Sequence, residues 1–103
     1  MNTFLKTTNY KDWFKNLKDT TLKDRIETRI DRAENGNLGD VESVGDGVYE
    51  MRSKSLGYRL YYYQENETVY RLLLGGHKGN KNEQTRDIKL AKTIKNKLQE
   101  KTS

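Results

Sequence analysis

The sequence predicts an α+β fold, with two short helices, then a meander of strands, then one longer helix. Three observations carry this. Between Gly47 and Lys78 the chain reads GVYEMRSKSLGYRLYYYQENETVYRLLLGGHK, where side chains alternate with the period of strands and most of the tyrosines are gathered. Ahead of it, Tyr10, Trp13, Phe14 and Leu17, then Leu22, Ile26, Ile30 and Ala33, recur at the spacing of one helix face. Behind it, Ile88, Ala91, Ile94 and Leu98 repeat that spacing.

The 103 residues make one domain, residues 1–103, with a single modest core. Apolar residues are 32% and charged residues 34%, but the apolar ones are clustered and periodic, which argues for a folded domain with a heavily solvated exterior. The net charge of +5 favours an anionic partner, nucleic acid before an acidic protein. With no cysteine, disulfide frameworks, zinc ribbons and thiol catalysis are excluded. His77 is the one histidine, so neither a histidine-based metal cluster nor a two-histidine acid–base pair is possible. No stretch is apolar enough for a signal peptide or a membrane span, so a cytoplasmic protein is expected.

Residues 2–7 suit a short edge strand with Phe4 facing the core, and Thr7, Thr8 or Asn9 offers a cap for the first helix. Asp19-Thr20 breaks that helix, and Thr21 with Asp24 resembles a capping box for the second. Asn35-Gly36 ends the second helix. Its outer side carries Arg25, Arg29 and Arg32, read as a solvated face balanced by acids or as a phosphate-contacting ridge. Residues 35–46 form a glycine-punctuated loop with one short strand at Val41–Val44. The glycines are not followed by the lysine and hydroxyl of a phosphate loop.

In the meander, Val48–Ser53 sets Tyr49 and Met51 on one face and Val48, Glu50 and Arg52 on the other. Tyr58–Tyr63 sets Tyr58, Leu60 and Tyr62 against Arg59, Tyr61 and Tyr63. An even-length turn at Lys54-Ser55-Leu56-Gly57 places Arg52 directly opposite Arg59. Like charges so placed repel, and are tolerable if Glu50 neutralises one or if the pair grips an anion. In Thr68–Gly75, Tyr70, Leu72 and Leu74 share a face. An odd-length turn or a bulge in Gln64–Glu67 then brings Arg71 to the open face with Arg52 and Arg59, whereas the opposite parity turns Arg71 toward the helices. Gly75 and Gly76 let the chain leave the sheet tightly, and His77 and Lys78 project at its end. The last helix is expected from about Gln84 to Glu100, with acids near its start and lysines near its end.

Taken together, VGDGVYEMR, GYRLYYY, LLLGGHK and QTRDIKLAK resemble the RelE/ParE superfamily of toxins from type II toxin–antitoxin modules. The nearest branch is the HigB-like addiction module killer proteins related to phage Gp49-like proteins. The resemblance implies an antiparallel sheet of four to five strands, with an N-terminal helical hairpin on one face, a C-terminal helix, and an open face lined with basic residues. It also implies a metal-independent, cofactor-free mRNA endonuclease (mRNA interferase) acting on the translating ribosome. Its partners are then the ribosome, mRNA and a cognate antitoxin, expected to be of helix-turn-helix type. Matched residue by residue, Arg52 and Arg59 clamp the scissile phosphate, and Lys78 adds charge or acts as general base. Tyr61 stacks on a base or bonds a phosphate, and Arg71 and Tyr63 extend the RNA-binding face. This chain departs from the family at His77, where an aspartate is usual, and in a longer segment between Lys78 and Gln84. The superfamily also holds non-enzymatic DNA gyrase poisons, and a non-toxic basic binding module is a third reading.

Overall fold

The structure, a computed structural model, describes residues 1–77 and 79–102, with side chains through residue 100. The elements are β1 (Thr3–Lys6), α1 (Thr8–Lys15), α2 (Thr20–Glu34), β2 (Val41–Gly45), β3 (Val48–Ser53), β4 (Tyr58–Gln64), β5 (Val69–His77) and α3 (Lys81–Thr102). They form a five-stranded sheet in the order β1-β5-β4-β3-β2. β1 runs parallel to β5, and the other pairings are antiparallel. The expected α+β architecture, with helices before the meander and one after it, is what the chain adopts.

Local chemistry sets the joints. Thr7 caps α1, its Oγ accepting from the Tyr10 amide at 3.1 Å while its hydroxyl donates to the Leu73 carbonyl at 2.8 Å. One side chain therefore fixes the end of β1, the start of α1 and the middle of β5. The cap of α2 is Asp19, one residue ahead of the helix, and not the Thr21 box expected from sequence. Asp19 Oδ1 accepts from the amides of Thr21 and Leu22 at 3.0 and 3.1 Å, so a single carboxylate satisfies two orphan donors. Gly36, at φ +99°, turns the chain out of α2 in the left-handed region. The outer edge of β1 is closed by that same helix end, with the Phe4 amide donating to Glu34 Oε2 at 3.0 Å.

Each face of the sheet has its own core. On one face Met51, Tyr58, Leu60, Tyr62, Tyr70 and Leu72 pack with Phe4 against Tyr10 of α1, Leu17 of the α1–α2 connection, and Ile26, Ile30 and Ala33 of α2. On the other, Val48, Tyr61, Tyr63, Leu73 and Leu74 pack against Ala91 and Ile94 of α3. This second core corrects the expectation of an open face, because α3 lies across it. The helix starts at Lys81, earlier than the expected Gln84, where Asn80 Oδ1 accepts from the Glu83 amide at 3.0 Å.

The β3–β4 register places Arg52 opposite Arg59, as the turn parity requires. The irregularity that carries Arg71 to the same face lies elsewhere than expected. Tyr61 pairs with Leu74 and Tyr62 with Leu72, so the bulge falls at Leu73 within β5 and not in the Gln64–Glu67 turn. In consequence Leu72 faces α1 and α2 while Leu73 and Leu74 face α3. Thr7 meets the carbonyl of the bulged residue, which is left without a ladder partner.

Candidate functional site

Two neighbouring strands place charged side chains side by side at one end of the α3 face, next to a bare position on a third. Glu50 and Arg52 come from β3 and Arg59 from β4, with Gly76 of β5 opposite Arg59. Glu50 is the hub. It is 1% exposed, and its Oε1 lies 3.6 Å from Arg59 Nε and 3.8 Å from Arg52 Nη1. Its Oε2 accepts a hydrogen bond from Gln84 Nε2 of α3 at 2.9 Å. The like-charge pair is thus held by a buried carboxylate between the two arginines, and α3 anchors that carboxylate.

The two arginines differ sharply. Arg52 also bonds Asp40 Oδ2 through Nε at 3.2 Å and Glu42 Oε2 through Nη1 at 2.6 Å. Those bonds, the one to Asp40 foremost, raise the Arg52 pKa above its ordinary value. Three carboxylates surround this one guanidinium. The loop carrying Asp40 is locked from beneath by Arg29 of α2, which donates to the carbonyls of Arg52 at 3.0 Å and Asp40 at 3.1 Å. Arg29 is therefore a structural clamp, not part of a solvated face or a phosphate ridge. Arg59 is enclosed, its side chain 14% exposed, and its buried Nε and Nη1 have no hydrogen-bond acceptor among the described residues. An arginine with unspent donors is poised to accept an oxyanion.

At the end of β5 a cleft of about 360 Å³ is lined by Trp13, Gly75, Gly76, His77, Glu83, Arg86 and Asp87, whereas Arg59 lines a smaller cavity of about 70 Å³ with Arg52, Ser53, Lys54 and Tyr58. The paired glycines build the larger cleft. A Cβ on Gly75 would overlap the Trp13 ring, and a Cβ on Gly76 would overlap the Asp87 carboxylate. Only a strand bare on both faces lets an indole and a carboxylate approach this closely. Burial raises the Asp87 pKa and Glu83 adds to it, against the lowering influence of Arg86, Arg59 and His77. His77 is exposed at the rim, its ring 6.0 Å from that of Trp13. Lys78 lies outside the described residues.

The remaining sequence candidates are not brought to this cleft as an open surface. Tyr61 and Tyr63 are 0% and 4% exposed beneath α3, which corrects their placement on an uncovered face. The Tyr61 hydroxyl lies against Glu50 without a well-formed hydrogen bond, and burial followed by Glu50 raises its pKa. Lys95 stands over the Tyr63 ring at 5.6 Å and donates to the Asp46 carbonyl at 2.6 Å, fastening α3 to the β2–β3 turn. Arg71 shares the face but sits opposite Tyr63, five residues along β5 from Gly76. That is about 16 Å along a strand. Arg71 pairs there with Glu65 at 3.2 Å and lines a separate cavity with Lys6, Asn9 and Lys97.

The sequence offered Glu50 only as a neutraliser of one arginine and Arg29 only as outer-face charge, and it assigned Gln84 and Asp87 no role at the site. Glu50 was legible in principle, since a carboxylate alternating with Arg52 in a tyrosine-rich strand has to meet that charge. Asp87 was not, because only the docking of α3 brings it over Gly76.

Comparison with known proteins agrees with this geometry. The model of the family "Phage derived protein Gp49-like (DUF891)" matches residues 12–96. An uncharacterized protein of Haemophilus influenzae is 40% identical over 96 residues, spanning 91% of this chain and 94% of that protein. The crystal structure of the isolated E. coli RelE toxin superposes with a TM-score of 0.65 at 14% identity, covering 86% of this chain and 97% of RelE. With its sheet and helices in a RelE-like arrangement, this chain belongs to the phage-derived Gp49-like family.

Proposed function

We propose that the protein is the toxin of a type II toxin–antitoxin module, and that it is a ribosome-dependent mRNA endonuclease. The observation that carries this reading is Arg59, an enclosed guanidinium whose Nε and Nη1 have no hydrogen-bond partner among the described residues, paired across the ladder with Gly76 of the cleft. The likeness to the RelE toxin fold and the net charge of +5 support it. In the reaction the ribose 2′-hydroxyl loses its proton and attacks the adjacent phosphorus. A cyclic phosphate forms, and the 5′-oxygen departs with a proton. Arg59 stabilises the charge that develops on the phosphorane, where preorganised donors act most strongly. His77, at the rim, supplies the proton to the leaving oxygen. Lys78, next to His77 in the sequence, adds positive charge. Arg52 acts through Glu50 and the β3–β4 framework more than through open donors, since carboxylates already hold it. A cognate antitoxin restrains the toxin, and the ribosome presents the mRNA.

That same ion pairing of Arg52 favours one second reading, a non-enzymatic DNA gyrase poison, because it reduces the open cationic surface. Brief induction in a bacterial host separates the two. The nuclease stops growth with rapid loss of translated mRNA, whereas the gyrase poison stops it with DNA breaks and an SOS response. Normal growth would sink both.

A further inference from the structure

We infer that Asp87 is a catalytic residue of this cleft, the carboxylate that takes the proton from the attacking 2′-hydroxyl. The inference rests on the nuclease reading. Its basis is placement. Asp87 lies in the second turn of α3, and its carboxylate occupies the space that the missing side chain of Gly76 leaves on the sheet. Gly76 is the cross-strand partner of Arg59, so carboxylate and guanidinium flank one backbone position. Asp87 lines the cleft that carries His77 at its rim, and Arg59 acts on its carboxylate from the paired strand. A phosphate held by Arg59 therefore presents its neighbouring 2′-hydroxyl to Asp87 on one side and its leaving oxygen to His77 on the other.

The groups facing Asp87 are Arg59 and Tyr61 from β4, His77 from β5, and Glu83 and Arg86 from α3 itself; Glu50 of β3 lies behind Tyr61. Trp13 of α1 contributes an uncharged wall. Burial makes this carboxylate a stronger base than an exposed aspartate, as proton abstraction near neutral pH requires. The step balances. The 2′-hydroxyl proton passes to Asp87 while the 2′-oxygen bonds to phosphorus. The bond from phosphorus to the 5′-oxygen breaks, and His77 in its protonated form gives that oxygen a proton. Solvent exchange then resets both groups.

The experiment measures single-turnover cleavage of a short mRNA on programmed ribosomes across a pH series, with wild type, Asp87→Asn, Asp87→Glu and Gly76→Ala. Wild type shows a rate that rises with pH through a limb above the ordinary aspartate range. Asp87→Asn loses roughly 100-fold or more in rate, and that limb disappears. Asp87→Glu retains part of the rate and keeps a limb. Gly76→Ala displaces only the end of a flexible side chain, so it stays folded by circular dichroism yet loses rate, with its limb moved toward the ordinary aspartate range. Cleavage by Asp87→Asn at the wild-type rate with an unchanged profile overturns the inference alone. If Asp87→Asn does not fold, an unchanged rate and limb in folded Gly76→Ala overturns it. Absence of cleavage by folded wild type, at every pH, removes the nuclease reading and the inference with it.

Discussion

Replacing Glu50 by glutamine tests the charge hub with the least change of shape. Glutamine fills the same volume and keeps an acceptor for Gln84, so the perturbation is the loss of one buried negative charge. Arg52 retains Asp40 and Glu42 after the change, whereas Arg59 loses its ion-pair partner, 3.6 Å away. Removing one member of a fully buried pair costs about 3–5 kcal/mol. Here the contacts at 3.6 and 3.8 Å are longer than hydrogen bonds, and Arg59 keeps some exposure. The expected cost is therefore about 2–3 kcal/mol, below that range. For a domain of this size it corresponds to a fall in Tm of about 10–20 °C. Urea and thermal denaturation measure it, and a cycle with Arg59→Met separates the pair from its surroundings. The double variant is expected to be at least about 1 kcal/mol more stable than the sum of the single losses. Glu50→Gln within about 0.5 kcal/mol of wild type, or strict additivity in the cycle, would refute the reasoning.

Other consequences are equally direct. Thr7→Val removes the α1 cap and leaves the Leu73 carbonyl without its donor, and should lower stability by about 2–3 kcal/mol in denaturant titrations. Gly75→Ala drives a methyl into the rigid Trp13 ring and should cost about 1–3 kcal/mol or more. Gly76→Ala, meeting only the end of Asp87, should cost clearly less, and equal melting temperatures would contradict this contrast. Burial raises the pKa of Tyr10 and Tyr61 above the ordinary 10.0 and pushes that of Tyr62 up to about 12. The folded state thus favours the protonated phenols. Their contribution is fully present below the unfolded pKa and is lost as pH rises above it. For each such phenol the loss is about 1.4 kcal/mol per pH unit between the unfolded and folded pKa. Alkaline titration should show tyrosinate absorbance appearing together with unfolding, and ionisation of all tyrosines near their ordinary pKa in the folded protein would contradict it.

The sequence reveals most where one period dominates. Val48–Ser53 and Tyr58–Gln64 alternate cleanly across an even turn, and the Arg52–Arg59 register follows from that parity. The run Leu72-Leu73-Leu74 is apolar at every position, so it conceals the phase change at the bulge. The apolar face of α3 is visible in Ile88, Ala91, Ile94 and Leu98. Its docking place is not, because the strand residues it covers, Tyr61 and Tyr63, alternate with arginine and read as half-polar surface. The site follows the same division. His77 borders the cleft at one end of the sheet, Arg59 stands on the paired strand opposite Gly76 of that cleft, and Arg71 belongs to another cavity on the same face. Glu50 could be read from the strand register as a partner of the arginines, whereas Asp87 gains its place over Gly76 only from the docking of α3.

The central claim is that Arg59 serves a ribonuclease cleft. It is tested most directly by mapping mRNA ends in a bacterial host minutes after induction of wild type and of Arg59→Lys. Lysine keeps one positive charge near Glu50 but removes the planar fork. The account predicts new ends within translated codons for wild type. For Arg59→Lys, confirmed folded by circular dichroism, it predicts a loss of those ends of roughly 100-fold or more. Folded Arg59→Lys producing the same ends at the wild-type level would contradict it.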